Sequence, residues 1–200
     1  MGERVARKRD RRIQEILSVA AALFGERGYD GVSLDDIAER LDVTKGSLYY
    51  YFASKDELVT AAIEALGNDW IARLERLLAD TGGPAGRRLR ALVREQVTVA
   101  VRDHPAALRL FLAPDEWPDR QRERIKDLRR RHDRVFRSVV REGVESGEFT
   151  VTGEDTVLLC MHAAMTQAPT WYGTLRPRAR DRAIAELVDT LMRLVGQSGG

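Results

Sequence analysis

The sequence predicts an all-α protein: a three-helix module containing a helix-turn-helix, then a larger helical body, about nine helices in all. Three observations predict it. Apolar residues recur at three- and four-residue spacing along most of the chain, and no segment alternates with period two. Capping residues and Gly or Pro breaks divide these runs into helical lengths. The 200 residues, 44% hydrophobic and 32% charged, have the balance of a globular protein long enough to bury a core.

The first twelve residues set Arg4, Arg7, Lys8, Arg9, Arg11 and Arg12 against Glu3 and Asp10, a local charge of +4. The whole chain carries +2, so the remainder carries −2. A basic arm ahead of a near-neutral body suits an anionic polymer. From about Asp10 to Gly28, the residues Ile13, Ile16, Leu17, Ala20, Leu23 and Phe24 form one stripe, and Gly28 stops the helix. Ser33 caps the second helix with Asp36 as its capping-box partner, and Leu34, Ile37, Ala38 and Leu41 make its apolar face. Thr44 caps a third helix reaching about Phe52. Ser54 with Glu57 opens a long fourth helix through Leu58, Ala62, Leu66, Trp70, Leu74 and Leu77.

Gly82-Gly83-Pro84 is the strongest break in the chain. Helices then run from about Pro84 to Asp103 and from Pro105 to Ala113, with a loop at 114–118. The next helix carries Ile125, Leu128, His132, Val135, Phe136, Val139 and Val140 on one stripe and ends near Gly147. Thr152 with Asp155 is expected to cap another, apolar nearly all round at residues 157–161, which Pro169 kinks or ends. The final helix, about 178–195, presents Ile184, Leu187, Val188, Leu191, Leu194 and Val195.

The segment Thr44-Lys45-Gly46-Ser47-Leu48-Tyr49-Tyr50-Tyr51-Phe52-Ala53-Ser54-Lys55 carries the chemistry. Consecutive helical side chains point about 100° apart, so three tyrosines and a phenylalanine in a row cannot all be buried. Helices two and three are joined by about three residues, with a small Ala38 where they cross, the spacing of a helix-turn-helix whose second helix enters a major groove. Lys45 stands at the end where base edges are reached and can donate to guanine O6 and N7. Gly46 lets the backbone approach DNA. Ser47, Tyr49 and Tyr50 can bond bases or phosphates, and Tyr51 and Lys55 suit phosphates. Ser33 and Thr44 open helices whose free N–H groups attract anions. Leu48 and Phe52 are expected in the core.

Residues 10–60 resemble the DNA-binding domain of the TetR family of bacterial transcriptional regulators. The resemblance rests on Ala21-Ala22-Leu23-Phe24, Gly28-Tyr29, Val32-Ser33-Leu34, Ile37-Ala38, residues 41–52 and Ser54-Lys55-Asp56-Glu57-Leu58. It implies DNA contacts from Ser33 and Leu34 (the latter through its backbone amide), from Thr44, Lys45, Ser47, Tyr49, Tyr50 and Tyr51, and from Lys55. It also implies a DNA-binding domain over residues 1–56 and a ligand-binding and dimerisation domain over 57–200.

For the body, the apolar helix near 155–168 and the stripe of the last helix suggest a homodimer in which the last two helices of each subunit form a four-helix bundle. One helical turn of DNA, about 34 Å between paired recognition helices, favours the same arrangement. Phe111, Leu112, Trp117, Phe136, Val140, Met161, Met165, Trp171 and Tyr172 are candidates to line a pocket for a small hydrophobic effector. Trp171-Tyr172 followed by Arg176-Pro177 is similar to a pattern in TetR-type repressors of fatty-acid and sterol breakdown, although Gly173-Thr174-Leu175 departs from it. That likeness implies an acyl-CoA effector, whose phosphates Arg129, Arg130 or Arg176 would meet.

One cysteine, Cys160, excludes an internal disulfide framework, and no apolar run reaches membrane-spanning length, so a cytoplasmic protein without membrane contact is expected. Enzyme chemistry is not expected. His104, His132 and His162 fall on different helices, and Cys160 and His162 lie about 200° apart on theirs. No nucleophile triad, phosphate loop or carboxylate pair stands out, and no cofactor or metal is expected. The residues give a DNA-binding helix-turn-helix, and the resemblance implies a transcriptional regulator, most simply a ligand-released repressor on a palindromic operator. The alternative is a helical small-molecule or partner-binding protein with a vestigial DNA module.

Overall fold

The computed structural model of the protein describes residues 2–103 and 122–196, with side chains from Arg4 onward. The expected helix at 105–113 and loop at 114–118 lie outside these residues. Among the described residues there are eight α-helices and no strand: α1 (Gly2–Arg27), α2 (Leu34–Arg40), α3 (Lys45–Tyr49), α4 (Lys55–Asp80), α5 (Ala85–Thr98), α6 (Arg122–Glu145), α7 (Glu154–Tyr172) and α8 (Pro177–Met192). A π-helical turn at Val99–Asp103 extends α5, and a 3-10 turn at Arg193–Val195 extends α8. The chain forms two compact units, the described parts of 1–69 with 106–128 and of 70–105 with 129–200.

In the first unit the periodic stripe of α1 becomes core: Ile16, Leu17, Ala20, Leu23 and Phe24 are all buried. Gly28 ends the helix at φ +74°, donating its N–H to the Phe24 carbonyl at 2.9 Å, a conformation open to glycine without steric cost. Leu58, Val59, Ala62 and Ile63 of α4 complete this core. One expectation is corrected at the N-terminus. The helix begins at Gly2, not near Asp10, because Arg, Lys and Ala are good helix formers and residues 4–12 contain no breaker.

In the second unit α5 packs chiefly on α8 and also on α7. Leu89, Leu92, Val93 and Val97 meet a core shared with Val135, Phe136, Val139 and Val140 of α6 and Ile184, Leu187, Val188 and Leu191 of α8. Pro84 is the cap residue of α5 rather than its first helical position, and has no side chain to offer the free amides. The Glu148 carboxylate accepts from Ala85 and Gly86 N–H at 2.7 and 2.8 Å instead, closing the helix start from 62 residues away.

Other sequence expectations change here. Thr152 does not cap α7; Gly153 is the cap residue without a side-chain bond, and Asp155 pairs with Arg137 at 2.5 Å. Pro169 does not end α7, which continues to Tyr172, where the Gly173 N–H meets the Pro169 carbonyl at 2.9 Å. The third helix stops at Tyr49 rather than Phe52. Along α7, Leu158, Met161, Met165 and Ala168 are buried, while Leu159 is 71% and Trp171 52% exposed. The stripe of α8 is spent within the chain, largely against α5.

Candidate nucleic-acid interface

Two short capped helices hold the exposed residues. Ser33 Oγ accepts the Asp36 N–H at 3.1 Å, and Asp36 Oδ2 accepts the Ser33 N–H at 2.7 Å and the Ser33 hydroxyl, a closed capping box. These bonds hold the Asp36 carboxyl below the usual carboxylate range. Leu34, Ile37 and Ala38 of α2 are buried. The chain then turns at Asp42, with φ +54°, and the Val43 N–H returns to the Ala38 carbonyl at 3.0 Å. Thr44 caps α3 by accepting the Ser47 N–H at 3.3 Å, and its hydroxyl lies 3.0 Å from the Ser47 hydroxyl.

The tyrosine run divides as helical geometry demands. Leu48 and Phe52 are buried, whereas Tyr49 is 50% and Tyr50 73% exposed. Tyr51 is half-buried with its ring edge-on to Tyr50, centroids 5.0 Å apart. Ser33, Thr44, Lys45 and Gly46 are exposed and Ser47 half-buried; Leu34 offers no side chain to a partner. A Cβ added to Gly46 would meet only Thr44 Oγ1, at 3.8 Å. The domain's own packing therefore does not require glycine, which weakens a helix by about 1 kcal/mol relative to alanine. Gly46→Ala is expected to raise the domain's unfolding free energy by about 0.5–1 kcal/mol in thermal melts. If the bare backbone serves an approaching duplex, the same change lowers DNA affinity about tenfold by anisotropy titration. Unchanged affinity removes the need for a partner at this position.

Three partners escaped the sequence reading. Asp35 of α2 holds the Lys45 ammonium at 2.7 Å, and this bond with its charge keeps the lysine pKa above the usual value. A base must thus displace a carboxylate. Asp35→Asn is expected to raise affinity for any duplex about two- to fivefold, because an exposed ion pair is worth about 0.2–1 kcal/mol and its carboxylate repels phosphate. Tyr29 is the second partner: the Lys55 ammonium sits over its ring, 4.0 Å from the centroid. Asp56 is the third, accepting from the Tyr29 hydroxyl. Burial, then this bond and the Asp56 charge, push the phenol up to about 12. Only the spacing of Asp35 to Lys45 across the turn offered any signal in the sequence. Ser54 caps α4 through the Glu57 N–H at 3.1 Å, but Glu57 returns to the Ala53 N–H, at 2.7 Å.

Of the residues proposed for an effector pocket, Phe136, Val140, Met161 and Met165 are buried in the second unit. Phe111, Leu112 and Trp117 lie outside the described residues. Trp171 is half exposed, edge-on to half-buried Tyr172, because its face of α7 turns away from the Met161–Met165 side. Arg130 and Arg176 are exposed and Arg129 is half-buried. Beside Phe136 the fold joins two histidines that the sequence had placed on separate helices: the His132 and His162 rings are 5.4 Å apart. His132 is buried, with Nε2 3.0 Å from Gln96 Oε1; burial and the neighbouring His162 pull its pKa down to about 3. His162 Nε2 stands 3.3 Å from Asp133 Oδ1. Burial lowers its pKa, the Asp133 charge opposing.

Comparison with known proteins matches two stretches of the chain. Residues 16–62 match the family described as bacterial regulatory proteins, tetR family, and residues 82–195 match the tetracyclin repressor-like C-terminal domain. The HTH-type transcriptional repressor KstR2 of Mycobacterium tuberculosis is 31% identical over 150 residues, 74% of this chain and 74% of that protein. A tetR-family regulatory protein from Rhodococcus RHA1 superposes with a TM-score of 0.79 at 23% identity, covering 94% of this chain and 98% of that one. The regulator FadR from Bacillus subtilis, solved with stearoyl-CoA, superposes with a TM-score of 0.73 at 19% identity, covering 92% and 97%; at that identity it speaks for the fold alone.

Proposed function

Because the chain belongs to the TetR family of bacterial regulatory proteins, we propose that it is a homodimeric, ligand-released repressor that binds a two-fold symmetric operator. Its DNA-binding domain comprises residues 1–56 and its ligand-binding and dimerisation domain 57–200. The observation that carries this reading is the outward face of α3. Lys45, Tyr49 and Tyr50 are exposed there around a glycine that the fold does not need, on a helix anchored by buried Leu48 and Phe52. Lys45, Ser47, Tyr49 and Tyr50 read base edges and phosphates; Tyr51, Lys55 and the helix starts at Ser33, Leu34 and Thr44 hold the backbone. Dimerisation through the uncovered face of α7, with Leu159 and Trp171, and the adjoining part of α8 sets two recognition helices one turn of DNA apart. No described helix is long and apolar enough to cross a membrane, and we place the protein in the cytoplasm with DNA as its partner and no catalytic role.

The effector in this reading is amphipathic, an acyl-CoA thioester. Support comes from buried Phe136, Val140, Met161 and Met165 in one unit with His132 and His162, whose rings lie against Phe136, and Gln96 bonded to His132, the mixture of groups a largely apolar ligand with one polar end requires. Its binding favours a dimer whose recognition helices no longer match one helical turn. The test is enrichment of duplexes from a random pool, followed by release with palmitoyl-CoA, free CoA or palmitate. A two-fold symmetric sequence released by the thioester alone is expected. Failure to enrich any sequence overturns the DNA reading; equal release by palmitate overturns the thioester.

A further inference from the structure

We propose that the first three turns of α1 are a second phosphate-binding strip, which holds the DNA backbone beside the segment read by α3. The inference rests on the DNA-binding reading above and extends it to residues that reading leaves unused. The basic residues are not a loose tail. They are helical from Gly2 onward, and Arg4, Arg7, Lys8, Arg9 and Arg11 are all exposed. The first buried residue of the helix is Ile16, and even Val5 is 65% exposed. From Arg4 to Arg12 the helix advances about 12 Å with no core to join. Six cations share that length with the single carboxylate of Asp10.

Helical spacing aligns the charges. Lys8, Arg9 and Arg12 share one face with Val5 and Glu15, and the rings of Tyr50 and Tyr51 form the opposite wall of a groove lined by those residues. Arg4, Arg7, Lys8 and Arg11 line a second, adjoining concavity. Like charges three and four residues apart, as at Arg4–Lys8 and Lys8–Arg11, each destabilise a helix by a few tenths of a kcal/mol unless an anion lies along them. Two phenols, Tyr50 mostly exposed and Tyr51 half-buried, complete a set of donors with few acceptors. A chain of phosphates matches this: about 12 Å of strip faces about three phosphates of one strand, at about 3.4 Å of axis each. The groove also opens on Tyr50 and Tyr51, immediately after α3, so it continues the surface that faces the operator.

The experiment uses the full chain and a mixed-sequence duplex of about 30 bp, some three helical turns, since phosphate contact is independent of sequence. The triple variant Lys8→Gln, Arg9→Gln, Arg11→Gln keeps good helix formers at exposed sites, and circular dichroism checks the fold. Wild-type log affinity should fall linearly with log salt. The variant should bind about tenfold more weakly at about 100 mM salt, with a slope shallower by about 2–3 per protomer, since each lost contact removes about 0.9. Its preferred sequence should be that of the wild type. The converse change, Glu15→Gln, removes the carboxylate that pairs with Arg12 at 2.6 Å and should tighten binding. A triple variant with the wild-type slope and affinity overturns the strip, even where a palindrome is enriched. A chain that enriches no palindrome yet loses slope in the triple variant overturns the operator reading and keeps the strip.

Discussion

Replacing Lys45 with alanine is expected to weaken operator binding by about 1–3 kcal/mol at each half-site and to relax base preference at one or two positions. The ammonium stands on the first residue of α3, exposed, with Asp35 as its partner in the free protein at 2.7 Å. A guanine edge offers it two acceptors in exchange, whereas alanine offers the base nothing. In a dimer the loss counts twice, about 2–6 kcal/mol, so affinity should fall between about thirtyfold and about twenty-thousandfold. Lys55→Ala makes the contrast. Its ammonium is parked over the Tyr29 ring beside the start of α4, and its loss should weaken all duplexes about equally, with the salt slope reduced by about 1 per protomer. Selection of preferred sequences for the two variants separates the roles. If Lys45→Ala enriches the wild-type sequence unchanged, the lysine does not read bases.

Acid should begin to destabilise the helical body before the carboxylates titrate. His132 has a folded pKa near 3 against 6.5 when unfolded. Between those values the unfolded chain binds a proton that the folded chain refuses, so stability is whole above about pH 6.5 and is lost as pH falls toward 3. The slope is about 1.4 kcal/mol per pH unit, up to several kcal/mol across the window, and His162, also lowered, adds to it at the upper end. The groups facing the pair are Gln96, Asp133 and Arg137, and Asp133 limits the shift of His162 because it favours the charged form. Both described histidines, His132 and His162, belong to the second unit, which places the effect in the body. Denaturant titrations at pH 7, 6 and 5 should show the loss. His132→Gln, which removes the titration and keeps a polar side chain beside Gln96, should flatten most of it. An unaltered slope in that variant assigns the acid sensitivity elsewhere.

The helices and most of their ends were legible because their causes are local. Caps such as Ser33 with Asp36 act across three residues, and the stripes of α1, α6 and α8 come from spacing alone. For the same reason the division of the tyrosine segment into buried Leu48 and Phe52 and exposed Tyr49 and Tyr50 could be expected before any coordinates. Local rules misplaced the ends where a distant group intervened, as at α5, where Glu148 supplies the cap, and at α7, where Asp155 turns to Arg137.

By itself, then, the sequence determined the helical class, the helix-turn-helix and the family, since periodicity, capping and a contiguous motif are written within a few residues of one another. Only the tertiary structure decided what those residues meet: Asp35 on Lys45, Tyr29 under Lys55, α5 along the stripe of α8, and His132 beside His162. It also turned the basic arm into a helical strip facing Tyr50 and Tyr51. These pairings depend on how helices pack over long separations. Hydrophobic burial drives that packing without direction, and side-chain shape then selects one arrangement that no local pattern encodes.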